Sequence, residues 1–283
     1  MSVQLKPEER ARIPLDVVRA LEEDIGPGDA TAALIDADAI GDAQLVCKEP
    51  SAVLAGSEWF QTCFRALDPD LRIDWLAVDG DVLSAGQTVC RLHGRSRALL
   101  SAERSALNFL QTLSATATRT AEFVRTVAGT RARILDTRKT LPGLRLAQKY
   151  AVRCGGGHNH RIGLFDAVMV KENHIAAAGS IAAIVERARV LHPGLPVIVE
   201  VENFDELEQA IAVAADRILI DDFSLADMRQ AVTISAGRVP LEVSGGVDLD
   251  SVRAIAETGV DCISIGGLSK HVQAIDFSLR LSA

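Results

Sequence analysis

The stretch Cys154–Gly163, CGGGHNHRIG, sets three glycines against His158, Asn159, His160 and Arg161. The His-x-His spacing suits a metal, and Asp221 or His174 could complete a zinc site with His158 and His160. The adjacent guanidinium points the other way. Arg161 would repel a cation, and its planar fork matches a carboxylate or phosphate. Glycines let the chain approach a ligand closely. The stretch therefore offers a metal centre or an anion clamp, and its surroundings must decide.

Short apolar runs recur on both sides of it: ARILDTRK, FDAVMVKE, PVIVEVEN, RILIDDF, LEVSGGV and CISIGGL. Each ends in polar residues or glycine. The first gives Asp136, Thr137, Arg138 and Lys139; the second Lys171, Glu172, Asn173 and His174; the third Glu200 and Glu202 on one face; the fourth Asp221 and Asp222 on opposite faces. The last two end in Ser244-Gly245-Gly246 and Gly266-Gly267. In a parallel α/β barrel the active site lies at the carboxyl ends of the strands, with phosphate loops late in the order. The two glycine ends are expected to bring backbone N–H groups and the start of a following helix to a phosphate. Lys139 and Lys171 suit pyrophosphate; Arg138 and Arg161 suit carboxylates. Glu200 and Asp221 would repel such ligands unless Mg²⁺ stood between them, held by one or two carboxylates and ligand oxygens.

The run ends, near residues 137, 171, 201, 221, 244 and 266, are spaced as βα units. Six strands are fewer than eight, so an incomplete barrel is expected. Before it the pattern is mixed. A helix is predicted from Pro14 to Ile25 and another from Gly56 to Leu67, whose Trp59, Phe60, Cys63, Phe64 and Leu67 share a face. Strands are predicted at Gln44–Lys48, Arg72–Val78 and Thr88–Leu92. The segment VDGDVLSAGQTVCRLHG resembles a hammerhead, lipoyl-like sandwich without its modifiable lysine, and reads as scaffold. A helical pattern runs from Ala98 to Ala128 with a break near Ser114. The domains expected are 1–113, an α/β sandwich to which the tail 271–283 could return, and 114–270, the barrel.

Of 283 residues 48% are hydrophobic and 4% aromatic, so the core must be aliphatic, as in buried parallel sheets. The net charge is −8, which argues against a nucleic-acid binder. Yet Arg131–Lys171 carries nine Lys/Arg against two Asp, a band of +7, leaving −15 for the remainder. An acidic protein with one basic band has the makings of a pocket for an acidic small molecule. Five scattered cysteines without a C-x-x-C fit reduced thiols. The charged start MSVQLKPEERARIP has no signal core, and no apolar run approaches the roughly 18 residues of a membrane span. A cytoplasmic protein is expected.

The run ILDTRKTLPGLRLAQKYAVRCGGGHNHRIGLFDAVMVKENH resembles the quinolinate phosphoribosyltransferase family. The likeness extends through ERSALNFLQTLSATAT, VIVEVENFDEL, ILIDDF, LEVSGGV and ISIGGLSK. It implies an N-terminal α/β sandwich, a C-terminal incomplete barrel, and a homodimer with shared sites. It implies transfer of phosphoribosyl from phosphoribosyl pyrophosphate to quinolinate with loss of CO₂, on the de novo route to NAD. Matched by motif, Arg138, His160, Arg161 and Lys171 would hold the quinolinate carboxylates, and Arg104 would reach in from the partner subunit. Lys139, Ser244, Gly245, Gly246, Gly266 and Gly267 would hold phosphates; Glu200 and Asp221 would face the ribose and Mg²⁺. Lys139, Lys171, Glu200 and Asp221 are then the catalytic set, and His158 is left to a structural or supporting role. Three other readings compete: a zinc hydrolase built on His158 and His160, a relative with an altered acceptor such as the transferase-like proteins of molybdenum transport, and a metabolite sensor.

Overall fold

The structure, a computed structural model, describes residues 3–282. In chain order the elements are α1 (Pro7–Ile25), β1 (Ile40–Cys47), β2 (Ala52–Val53), α2 (Ser57–Leu67), β3 (Arg72–Trp75), β4 (Val82–Leu83), β5 (Thr88–Arg95) and α3 (Ser96–Thr126). There follow β6 (Arg133–Leu135), α4 (Arg145–Cys154), β7 (Val168–Val170), α5 (Glu172–Ala178), α6 (Ile181–Leu191), β8 (Val197–Val201), α7 (Phe204–Ala212), β9 (Arg217–Ile220) and α8 (Leu225–Ser235). The last are β10 (Leu241–Val243), α9 (Val252–Ala256), β11 (Cys262–Ser264), α10 (Gly267–Lys270) and β12 (Phe277–Ser282). Two compact units result. The first runs to Ala121 and takes in Thr140–Gly156 and the chain from Ser269; the second comprises Glu122–Lys139 and Gly157–Leu268.

The first unit is an α/β sandwich around an antiparallel sheet of order β12-β1-β5-β3. Its core is aliphatic with one aromatic cluster: Trp59, Phe60, Cys63 and Phe64 of α2 are fully buried, as the helical spacing predicts. The helix α2 has no capping side chain of its own, because Gly56 precedes it in a left-handed conformation. Buried Asp79 substitutes. Its Oδ2 accepts from the N–H groups of Gly56 (3.0 Å) and Ser57 (3.3 Å) and from the Tyr150 hydroxyl (2.7 Å). The predicted strands shift at their ends, β1 starting at Ile40, β3 ending at Trp75 and β5 ending at Arg95, and two helix predictions need correction. The first helix begins at Pro7, not Pro14; Pro14 lies inside it, where it withholds an N–H from the ladder and the helix continues around it. The long helix α3 is unbroken at Ser114, whose hydroxyl accepts from Ala55 N–H (3.1 Å) and donates to Ala55 O (3.2 Å) instead of competing with the helix.

The second unit is a parallel six-stranded sheet of order β6-β11-β10-β9-β8-β7. Its strands are apolar and buried, and Ser180, Asn203 and Ser224 cap α6, α7 and α8 by accepting from the N–H of Ala183, Glu206 and Asp227. β6 and β7 form the two edges and do not pair, so the barrel is incomplete, as its strand count predicts.

Candidate active site

Alternation along parallel strands sets the rim. Ala167, Met169, Ile198 and Leu219 pack together inside the second unit. Lys171, Glu200 and Asp221 each stand two residues beyond one of them, so all three project to that same inner side at the strand ends. The geometry bears this out for the first two: Lys171 Nζ lies 2.6 Å from Glu200 Oε2. Asp221 is half-buried and stands beside the SGG turn; a Cβ on Gly245 would lie 3.3 Å from its Oδ1. Asp222 follows with φ at 57°, a conformation that few non-glycine residues adopt, and is exposed.

The glycine loops differ from one another. Gly245 and Gly246 both have positive φ, and beyond them the chain makes a turn closed by Asp248 before α9 begins at Val252. The direct run from SGG into a helix expected from the sequence is thus absent, because Asp248 accepts the N–H groups of Asp250 and Ser251 and forms a separate turn first. Gly267 does open a helix, the short α10. Gly266 has ordinary φ and is small for another reason: a Cβ there would lie 2.8 Å from Lys139 Cδ. Lys139 lies across this loop, its own N–H held by Thr137 Oγ1 at 3.0 Å.

The stretch Cys154–Gly163 divides in its work. Gly155 is packing: a Cβ would lie 2.3 Å from Ala117 O on α3, and Gly156 turns the chain with φ at 82°. His158 then runs beside β6, donating its N–H to Ile134 O (2.8 Å) and accepting from Asp136 N–H (3.1 Å). Asp136 is buried and ties down the next two residues; its Oδ1 accepts from His160 N–H (2.8 Å) and its Oδ2 from Asn159 Nδ2 (2.7 Å). Asp166 closes the loop by accepting from the N–H groups of Ile162 (2.7 Å) and Gly163 (2.8 Å).

Arg161 emerges from this scaffold with its guanidinium donating to Ala167 O (3.3 Å) and Met169 Sδ (3.6 Å), beside β7. Burial, and next the charge of Arg138, push its pKa below the ordinary arginine value, although Asp166 opposes them. A partly buried guanidinium whose charge is disfavoured is one that an anion would stabilise.

His160 stands differently from expectation. It is buried, its Nδ1 accepts from Arg161 N–H at 2.6 Å, and its Nε2 faces Glu242 Oε1 at 3.3 Å. The ring is engaged by the chain itself. His158 is exposed as a residue, yet partial desolvation of its ring, and next the charge of Arg133, push its pKa down. Among the described residues no three His, Cys, Asp or Glu side chains are grouped to hold a metal ion, so the zinc reading of His158, His160, His174 and Asp221 loses its geometry.

The rim thus brings together Lys171 with Glu200, Asp221 with the Gly245 loop, and Lys139 with Gly266, with Arg161 beside β7. Arg104 belongs to the first unit, exposed on α3 one turn before exposed Asn108. Sequence reading missed Asp136, Asp166 and Glu242 as supports. For Glu242 a signal existed: a carboxylate in the apolar strand Leu241–Val243, facing inward by alternation.

Comparison with known proteins gives the same outline. Residues 29–114 match the family described as quinolinate phosphoribosyl transferase, N-terminal domain, and residues 116–280 its C-terminal domain. The nicotinate-nucleotide pyrophosphorylase (carboxylating) of Mycobacterium leprae is 40% identical over 273 residues, covering 93% of this chain and 95% of that one. A quinolinate phosphoribosyltransferase (decarboxylating) of Nicotiana tabacum is 37% identical, covering 99% and 86%. The solved nicotinate-nucleotide pyrophosphorylase of Francisella tularensis superposes with a TM-score of 0.95 at 46% identity, covering 100% of this chain and 99% of that one.

Proposed function

Because the chain belongs to the quinolinate phosphoribosyltransferase family, we propose that its strand-end rim joins quinolinate to phosphoribosyl pyrophosphate. The products are nicotinate mononucleotide, pyrophosphate and CO₂, a step of de novo NAD biosynthesis. The observation that carries the assignment of the rim is the convergence at the strand ends of Lys171 with Glu200, of Asp221 with the Gly245 turn, and of Lys139 with Gly266.

The pyridine nitrogen attacks ribose C1 while the C1–O bond to pyrophosphate breaks and its electron pair leaves with pyrophosphate. Arg138, Arg161 and Lys171 hold the two carboxylates, with Arg104 supplied by a second copy of the chain in a homodimer. Lys139 and the Ser244–Gly246 and Gly266–Gly267 loops hold the phosphates. Positive charge develops on the ribose, and Glu200 and Asp221 face it. Since Lys171 already balances Glu200 at 2.6 Å, the pair presents little net charge to the incoming dianion yet leaves a carboxylate for the cationic transition state. The quaternised ring then takes up the electrons left when the adjacent carboxylate departs as CO₂, and that carbon gains a proton. No protein nucleophile is needed; the rim acts by positioning and by fixed charge.

Mg²⁺ fits the donor set only as an ion shared with substrate. Among the described residues the Asp221 carboxylate has no ion-pair or hydrogen-bond partner, and no protein cage surrounds it. Asp221, with Glu200 near, would supply one or two carboxylates, the ligand the remaining oxygens, and the ion would neutralise charge on the departing pyrophosphate. We assign the enzyme to the cytosol: its five cysteines are all buried and free, which suits a reducing compartment. Among the described residues no helix is long and apolar enough to cross a membrane.

The test is turnover with quinolinate, phosphoribosyl pyrophosphate and Mg²⁺, following nicotinate mononucleotide and CO₂, with nicotinate as control acceptor. Equal formation of both products, dependent on quinolinate, is expected. Preferential use of nicotinate would overturn the acceptor assignment. For the dimer, mixing Arg104→Ala with Lys139→Ala protein should restore activity if sites are shared between subunits; no recovery under proven subunit exchange would refute it.

A further inference from the structure

Gln148 lies in α4 and is fully buried. A buried amide brings one oxygen and two N–H donors, and leaving any of them unmatched is costly. Here each is matched. Oε1 accepts from Leu141 N–H at 2.8 Å, while Nε2 donates to Ser269 O at 2.8 Å and to Thr116 Oγ1 at 3.3 Å. These partners fix which way the amide points. A backbone N–H needs the oxygen and a backbone carbonyl needs the nitrogen, so a flipped amide would set donor against donor and oxygen against oxygen.

Each end of the amide holds a stretch of chain that leads out of the proposed phosphate site. Leu141 stands two residues past Lys139. It opens a turn closed by Leu144 N–H to Leu141 O at 3.2 Å, with Pro142 in second place and Gly143 in third at φ 81°. The backbone of Gln148 donates to Leu144 O at 2.9 Å, so one residue grips this turn at both ends. Ser269 stands two residues past Gly267, within the four-residue α10. The last four carbonyls of a helix find no partner inside it, and the Gln148 amide supplies one for Ser269. Gln148, Thr116, Leu141 and Ser269 all belong to the first unit; Lys139 and Gly266, which lie against each other, belong to the second. The chain leaves that pair twice, at Thr140 and at Ser269, and the same amide takes hold of it both times.

We propose that Gln148 is a positioning residue for the phosphates of phosphoribosyl pyrophosphate: by tying the segment after Lys139 to the segment after Gly267, its amide holds the lysine and the glycine loop in a fixed mutual position. It acts through those segments and not on the ligand. This rests on Lys139 and the Gly266–Gly267 loop binding phosphates. The quinolinate side is hung elsewhere, with Arg161 on the loop closed by Asp166 and Lys171 against Glu200.

The principal variant is Gln148→Glu, which is nearly isosteric. It keeps an acceptor for Leu141 but sets oxygen against Ser269 O, so one tie is lost. KM for phosphoribosyl pyrophosphate and Kd for pyrophosphate should each rise about tenfold, short of the roughly 100-fold cost of a 1 Å misplacement. KM for quinolinate should stay within about twofold, since only the hold on one substrate changes. Thr116→Val separates positioning from packing, because it removes the third bond of the amide and leaves both ties. It should lower the unfolding midpoint and leave both KM values within about twofold. An equal rise in KM for phosphoribosyl pyrophosphate in Thr116→Val would show general loosening and refute the proposal. So would a lowered midpoint in Gln148→Glu with that KM unchanged. Should Gln148→Glu fail to fold, the wild type decides alone. Coupling is reciprocal, so saturating pyrophosphate should slow hydrogen exchange of the Gln148 side-chain amide, read by nitrogen NMR of ¹⁵N-glutamine-labelled full-length protein; unchanged exchange would overturn the proposal. Lys139→Ala distinguishes the two levels. If it weakens pyrophosphate binding while Gln148→Glu does not, the phosphate reading stands and the proposal fails. If Lys139→Ala changes nothing, the phosphate reading fails and the proposal falls with it.

Discussion

Replacing Gly266 by alanine adds one methyl group at a place where its consequence can be worked out. The backbone permits it, because Gly266 lies outside the left-handed region. The new Cβ would stand 2.8 Å from Lys139 Cδ, whereas carbon atoms rest about 3.5–4.0 Å apart. The lysine is a flexible side chain, so it moves and the loop keeps its path. The displacement is then about 1 Å, and if Lys139 holds the departing pyrophosphate as proposed, a misplacement of that size costs roughly 100-fold. That corresponds to about 2.7 kcal/mol of transition-state stabilisation. Steady-state kinetics should show the loss in kcat/KM for phosphoribosyl pyrophosphate, with the unfolding midpoint unchanged. A double-mutant cycle identifies the cause: in a Lys139→Ala background, Gly266→Ala should do little more. Activity within about twofold of wild type would refute the reasoning from Lys139's position. A full additional loss in the Lys139→Ala background would show that the methyl group blocks the ligand directly.

Three further outcomes are expected. Asp79→Ala should destabilise the first unit by about 3 kcal/mol, because two N–H groups at the start of α2 and the Tyr150 hydroxyl lose their acceptor, each worth about 1 kcal/mol; denaturant unfolding checks it, and a loss below about 1 kcal/mol would refute the cap. Ala236→Gly should stabilise by up to about 1 kcal/mol, since Ala236 ends α8 at φ 48°, where glycine carries no Cβ penalty. Arg217→Ala should destabilise by about 3 kcal/mol near neutral pH, because it strands a buried carboxylate. The folded Glu242 carboxyl lies below its ordinary value, so its stabilisation is complete above the unfolded glutamate range and is lost as pH falls through the folded value. The deficit of Arg217→Ala measured against wild type should therefore shrink in acid; a deficit that grows on acidification would refute the pairing.

The six barrel strands were legible because each is a short aliphatic run closed by polar or glycine residues, and their count foretold an incomplete barrel. Lys171, Glu200 and Asp221 were legible for the same reason: position at a strand end decides which way a side chain points. The layer behind the rim was not. Glu242, Arg217 and His160 come from β10, β9 and a loop, and only the register of the sheet brings them together. Pro14 misleads because proline favours the first turn of a helix, and nothing local distinguishes that from a proline tolerated further in. Ser114 misleads because its hydroxyl finds Ala55, far away in sequence. The last strand, FSLRLS, alternates plainly, yet its place at the end of the chain makes it read as a tail.

That last strand has a consequence for how the molecule is made. β12 pairs antiparallel with β1 from Asp42↔Ser282 to Cys47↔Phe277, and so supplies the edge of a sheet whose other strands are all near the beginning of the chain. On the ribosome β1, β3 and β5 emerge first and must wait, with one edge of β1 unsatisfied, until the whole barrel has been synthesised. During that interval the waiting edge is available to any other extended segment. The second unit can complete its sheet before the first can, so the part of the chain made earliest is the part finished last.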